Sequence, residues 1–93
     1  MEQLQVQQSA FTEILVQQGL NFDASVAVFQ LRYELGLTQA QLAQRVGCLP
    51  QVITGLENGT VDATLPLLKR IAIVTGQHLQ VAFEPVHAGD VRR

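Results

Sequence analysis

Apolar residues recur along most of this chain at three- and four-residue spacings, and glycines interrupt the recurrence. Leu4, Phe11, Ile14 and Leu15 form a partial stripe, so the spacing predicts a helix over residues 3–18, helped by glutamines that favour helix. A second helix is expected from a cap at Asp23 to about Leu35, with Val28, Leu35 and the stem of Arg32 on one face. Thr38 is placed to cap a third helix running through Val46, whose Ala40, Leu42, Ala43 and Val46 keep helical spacing. Pro50 suits the first position of a fourth, where no N–H is needed. That helix runs to about Asn58, with Val52, Ile53 and Leu56 apolar. Thr64 opens another through Thr75, carrying Leu65, Leu68, Ile71, Ala72 and Val74. Gly36, Gly47, Gly59 and Gly76 fall just past these stretches, where glycine commonly ends a helix.

After Gly76 the period changes. Leu79, Val81 and Phe83 alternate with polar or small residues, and Pro85 follows. Period two predicts a strand. A single strand is not stable alone, so this one is expected to pair with a second copy or to lie on the helices. Residues 86–93 read as a loose tail. The expected division is therefore an N-terminal helical extension over 1–22, a central domain over 23–76, a dimerisation strand over 77–85 and a tail over 86–93.

Composition narrows the class. A chain of 93 residues points to one small domain, and its 47% hydrophobic content is high for a small monomer. The surplus sits at both ends, which suggests burial against a partner or a second copy. The single cysteine, Cys48, rules out an internal disulfide. The sequence shows neither a signal peptide nor an apolar run long enough to span a membrane, so a cytoplasmic setting is expected. Catalytic readings find no support. His78 and His87 lie nine residues apart, and with Cys48 they make no metal-binding spacing. Cys48 has no neighbour suited to lowering its pKa, no glycine-rich phosphate loop precedes a helix, and no cofactor is implied.

The two helices Thr38–Val46 and Pro50–Asn58, joined across Gly47-Cys48-Leu49, have the length and connection of a helix-turn-helix. Gly47 permits the positive φ of a tight turn, and Ala43 is small enough for close helix approach. The run from Gly36 through Leu37, Thr38, Gln39, Ala40, Gln41, Leu42, Ala43, Gln44, Arg45 and Val46 to Gly47, then Ile53 and Leu56-Glu57-Asn58-Gly59, resembles the Cro/CI-type (Xre-like) helix-turn-helix family over about residues 23–76. The resemblance implies an all-α fold, a five-helix lambda-repressor-like domain, here with an N-terminal helical extension and a short C-terminal β-strand. It implies double-stranded DNA as the partner of a homodimer.

The same resemblance assigns residues. Arg32 and Glu57 match a structural ion pair. Thr38, Gln39 and Gln44 match phosphate-positioning sites at the start and outer face of the second motif helix, where free N–H groups and the dipole favour an anion. Asn58 matches a further backbone contact. Pro50, Gln51, Thr54 and Gly55, with Val52 beside them, match the base-reading face. Gln51 has the amide to pair with adenine N6 and N7, and Val52 or Thr54 the methyl to meet thymine. Pro50 and Gly55 offer no side-chain donor. The net charge of −2 is also unusual for a DNA binder. Phosphate neutralisation falls to Arg45, Lys69, Arg70, Arg92 and Arg93, so a dimer is needed to double the cations.

A helix-turn-helix followed by a short terminal strand is similar to antitoxins of HigA and HipB type. That similarity implies a repressor that also neutralises a toxin protein and dimerises through Leu79, Val81 and Phe83. The extension bearing Phe11, Ile14, Leu15 and Val16 then either contacts the toxin or packs on its own domain. Two other readings stay open: a free-standing regulator, and a protein-interaction module that has lost DNA binding.

Overall fold

The computed structural model describes the backbone of residues 2–85 and side chains from residue 10 onward. The expected tail over 86–93, with His87, Arg92 and Arg93, lies outside the described residues, as does the side chain of Leu4. Four helices form: α1 (Glu2–Leu35), α2 (Gln39–Val46), α3 (Pro50–Asn58) and α4 (Leu65–Thr75).

Two expectations need correction. The extension and the first helix of the domain are one uninterrupted helix, so four helices stand among the described residues where five were expected. Asp23 lies inside α1 and caps nothing. The junction contains no proline, and Gly19 costs a helix only about 1 kcal/mol relative to alanine, too little to break it. The expected strand is not formed either. Residues 77–85 are irregular, and Leu79, Val81 and Phe83 are 37%, 64% and 100% exposed. Alternation prepares a strand, but a ladder needs a second strand, and the described chain supplies none.

At 34 residues, α1 extends for about 50 Å, which matches the longest dimension of the molecule, 49 Å. Its C-terminal half contributes Ala24 and Val28 to a core completed by Leu42, Ala43 and Val46 of α2, Ile53 and Leu56 of α3, Ala63 of the connecting loop and Ile71 of α4. Leu42, Ile53 and Leu56 are fully buried. Leu35, expected beside Val28, is exposed at the point where Gly36 ends the helix. No helix among the described residues is long and apolar enough to cross a membrane.

Candidate nucleic-acid interface

The sequence ends each motif helix by a local device. Thr38 and Gln41 form a capping box: the Gln41 N–H donates to Thr38 Oγ1 at 3.0 Å, and the Thr38 N–H donates to Gln41 Oε1 at 2.8 Å. This satisfies two otherwise unpaired donors at the start of α2. Gly47 takes φ 84°, and the N–H groups of Gly47 and Cys48 both donate to the Ala43 carbonyl, at 2.8 and 3.0 Å. The chain thus reverses in three residues, and Pro50 enters α3 at its first position. Arg70 closes the same turn from α4, its Nε–H donating to the Val46 carbonyl at 2.9 Å.

Within α3, Pro50, Gln51, Thr54 and Asn58 are exposed, while Ile53 and Leu56 point into the core. The spacing i, i+1, i+4 and i+8 gathers the exposed four on one face. Thr38 and Gln44 of the α2 region are exposed as well. Val52 is half-buried at the flank of this face. Gly55 departs from its expected place on the reading face: it is buried, and a Cβ there would sit 2.3 Å from Val61 Cγ2. Its lack of a side chain lets the α3–α4 loop fold against the helix.

A polar network runs beneath this face. Arg32 donates to Glu57 through Nε at 2.7 Å and a terminal nitrogen at 2.9 Å, and a further nitrogen donates to the Leu37 carbonyl at 3.0 Å. Gln39 Nε2 donates to the same carboxylate at 3.0 Å, and the Thr54 hydroxyl donates to Gln39 Oε1 at 2.8 Å. Glu57 is nearly buried, at 6% side-chain exposure. Burial pushes its carboxyl pKa up, but the hydrogen bonds from Arg32 and Gln39 and the Arg32 charge outweigh it, leaving the pKa below its ordinary value. Arg32 also lies over the Phe29 ring, 5.4 Å from the centroid. The chain of contacts from α1 to Glu57, Gln39 and Thr54 fixes the rotation of α3 against α2. Gln39, expected only as a phosphate contact, is therefore also a helix-to-helix bridge.

Arg45 and Lys69 are exposed. Arg70, expected among the phosphate-neutralising cations, is exposed as well, and its Nε–H bond to the neutral Val46 carbonyl leaves its charge in place. Asn58 Oδ1 accepts from the Thr60 N–H at 3.0 Å and from its hydroxyl at 2.6 Å, holding the exit of α3.

A second polar cluster was not anticipated from sequence. Asn21 is buried, and its Oδ1 accepts from the Ala63 N–H at 2.7 Å and from Gln17 Nε2 at 2.7 Å. Its Nδ2 donates to Asp62 at 2.9 Å, and Gln17 Nε2 also donates to the Ala63 carbonyl at 3.0 Å. These bonds tie α1 to the loop that follows α3. Cys48 is half-buried, and burial pushes its thiol pKa up, which disfavours the reactive thiolate. Among the described residues no cluster of histidine, cysteine and carboxylates is placed to hold a metal.

The helix-turn-helix family model matches residues 28–81. A protein of Methanothermobacter thermautotrophicus described as an uncharacterized HTH-type transcriptional regulator is 47% identical over 53 residues, which span 56% of this chain and 77% of that protein. No solved structure matches the chain.

Proposed function

The chain belongs to the helix-turn-helix family, and from that premise we propose that it is a transcriptional repressor that reads double-stranded DNA through α3 and works as a homodimer. The observation that carries the proposal is the exposed, uncharged face of Pro50, Gln51, Thr54 and Asn58, held at a set rotation by the Gln39 bridge. Gln51 has the amide geometry to pair with adenine, and the Thr54 methyl suits thymine. Thr38 and Gln44 flank this face in positions suited to phosphates, as the free N–H groups at the start of α2 also are. Arg45, Lys69 and Arg70 supply the accessible positive charge. With all three from each of two copies, the salt slope is about −5.4, at about −0.9 per phosphate.

Of the two regulator readings, the free-standing one carries the proposal. The antitoxin reading leaned on a terminal strand that the described residues do not form. The sparse cations favour one competing reading, a protein-interaction module on the same scaffold. Selection from a randomised duplex library separates them. A repressor enriches a two-fold symmetric site with half-sites about 10 bp apart, centre to centre, and adenine where Gln51 reads. No enrichment at low salt would contradict the proposal and favour the interaction module.

A further inference from the structure

α1 is apolar on two opposite sides. One side faces the core through Ala24 and Val28. The other carries Phe11, Leu15, Phe22, Val26, Phe29 and Tyr33, each between 42% and 76% exposed. At 100° per residue these six fall within an arc of about 60° and run for about 33 Å along the helix. The positions between them on the same side, Gln18, Gly19 and Ser25, are uncharged. Phe29 and Tyr33 already stack at 6.3 Å between centroids. A helix with apolar residues all round is normally buried all round, and the described chain covers only one side of this one.

We propose that this stripe is the surface on which two copies of the chain pair, with their α1 helices antiparallel and a two-fold axis through Phe22. The spacing argues for a second copy. The stripe is a palindrome about residue 22: Phe11 falls opposite Tyr33, Leu15 opposite Phe29, and Phe22 opposite itself, while Val26 meets the stem of Gln18. An isologous interface needs this self-complementarity. Under the same operation none of Glu13, Asp23, Arg32 and Glu34 falls opposite a charged residue. The area is sufficient too. Aromatic side chains bury about 150–250 Å² each, so the exposed parts of the six amount to roughly 600–700 Å² per copy, or about 1,200–1,400 Å² in all, within the range of specific interfaces.

The pairing deepens the DNA-binding reading and rests on it only for the use of the dimer. Phe22 and Ser25 line a groove with Glu57, Asn58 and Gly59 at the end of α3. A copy seated on the stripe therefore lies beside that end, and the axis sets one recognition helix relative to the other.

Sedimentation equilibrium without DNA tests the assembly separately from DNA recognition. The parent chain is expected to be a dimer at micromolar concentration, and Phe22→Glu, which places two carboxylates at the axis, is expected to weaken it at least 100-fold with helical content retained. Leu15→Glu gives the same readout if Phe22→Glu does not fold. In a Cys48→Ser background, oxidised Phe22→Cys is expected to cross-link to itself and Leu15→Cys is not, since residue 15 faces residue 29. A monomeric parent, or glutamate variants as dimeric as the parent, would overturn the proposal and leave the stripe to a different protein. Equal cross-linking at residues 15 and 22 would overturn the antiparallel arrangement. Loss of DNA binding with the dimer intact would count against the DNA reading alone.

Discussion

The two halves of α1 both carry large apolar side chains and stand in opposite surroundings. From Asn21 onward the helix lies on α3 and gives Ala24 and Val28 to the core. Before Asn21 it projects, with Phe11, Ile14, Leu15 and Val16 all more than half exposed. The junction is polar: Gln17 and Asn21 fasten the helix to Asp62 and Ala63. Apolar composition therefore does not decide burial on its own; a facing element must exist. The C-terminal half finds one in the same chain. The N-terminal half keeps its helix by propagation from a packed segment, since extending a helix is far easier than nucleating one.

The sharpest break in this comparison comes from matched truncations. Ile53→Ala, at a fully buried site, is expected to cost about 3–4 kcal/mol in urea unfolding. Ile14→Ala, on the exposed half and off the pairing stripe, is expected to stay within about 0.5 kcal/mol. Equal costs would mean that the N-terminal half has a packed core of its own.

Glu57→Gln comes next. It leaves the half-buried Arg32 guanidinium without its counter-charge, at an expected cost of about 3 kcal/mol. The pH dependence gives a second check. The folded pKa of Glu57 is depressed, so its contribution is complete above the unfolded carboxylate value of about 4.3. It is lost as pH falls through the folded value. Acid unfolding curves should show a smaller loss in Glu57→Gln than in the parent.

Asn21→Ala tests the junction. It strands the buried Ala63 N–H and removes one of the two partners of Gln17 and the amide bonded to Asp62, at about 2 kcal/mol. Hydrogen exchange should then show faster opening of residues 10–20 than of α3. The smallest expected effect has the opposite sign. A Cβ at Gly19 meets nothing within 4 Å, so Gly19→Ala is expected to stabilise by about 0.5–1 kcal/mol and to raise helicity measured by circular dichroism.

Much of the central unit was legible because its signals are local. Thr38, Gly47, Pro50 and Gly59 each act within a turn or two of their own position, through a cap, a positive φ or a missing N–H. What was not legible depends on residues far away in sequence. The partners of Asn21 lie more than 40 positions on, and nothing near it marks a buried amide. The bond from Arg70 to the end of α2 shows only once α4 is placed beside that end. Gly55 has no side chain to show which way it faces, and only the position of Val61 explains it. The alternation of Leu79, Val81 and Phe83 reported a capacity for pairing, but pairing needs a second strand. The missed continuity of α1 has a similar cause: Asp23 is a good cap, and what overrides it is propagation from the segment packed through Asn21, Ala24 and Val28.

The central claim is that the exposed face of α3 reads bases. Fluorescence anisotropy of the parent and of Gln51→Ala, on the selected site and on scrambled duplex at one salt concentration, tests it most directly. The account predicts that the variant loses about 1–3 kcal/mol on the selected site, binds scrambled DNA like the parent and unfolds at the same urea midpoint. A variant that binds the selected site as tightly as the parent would contradict it.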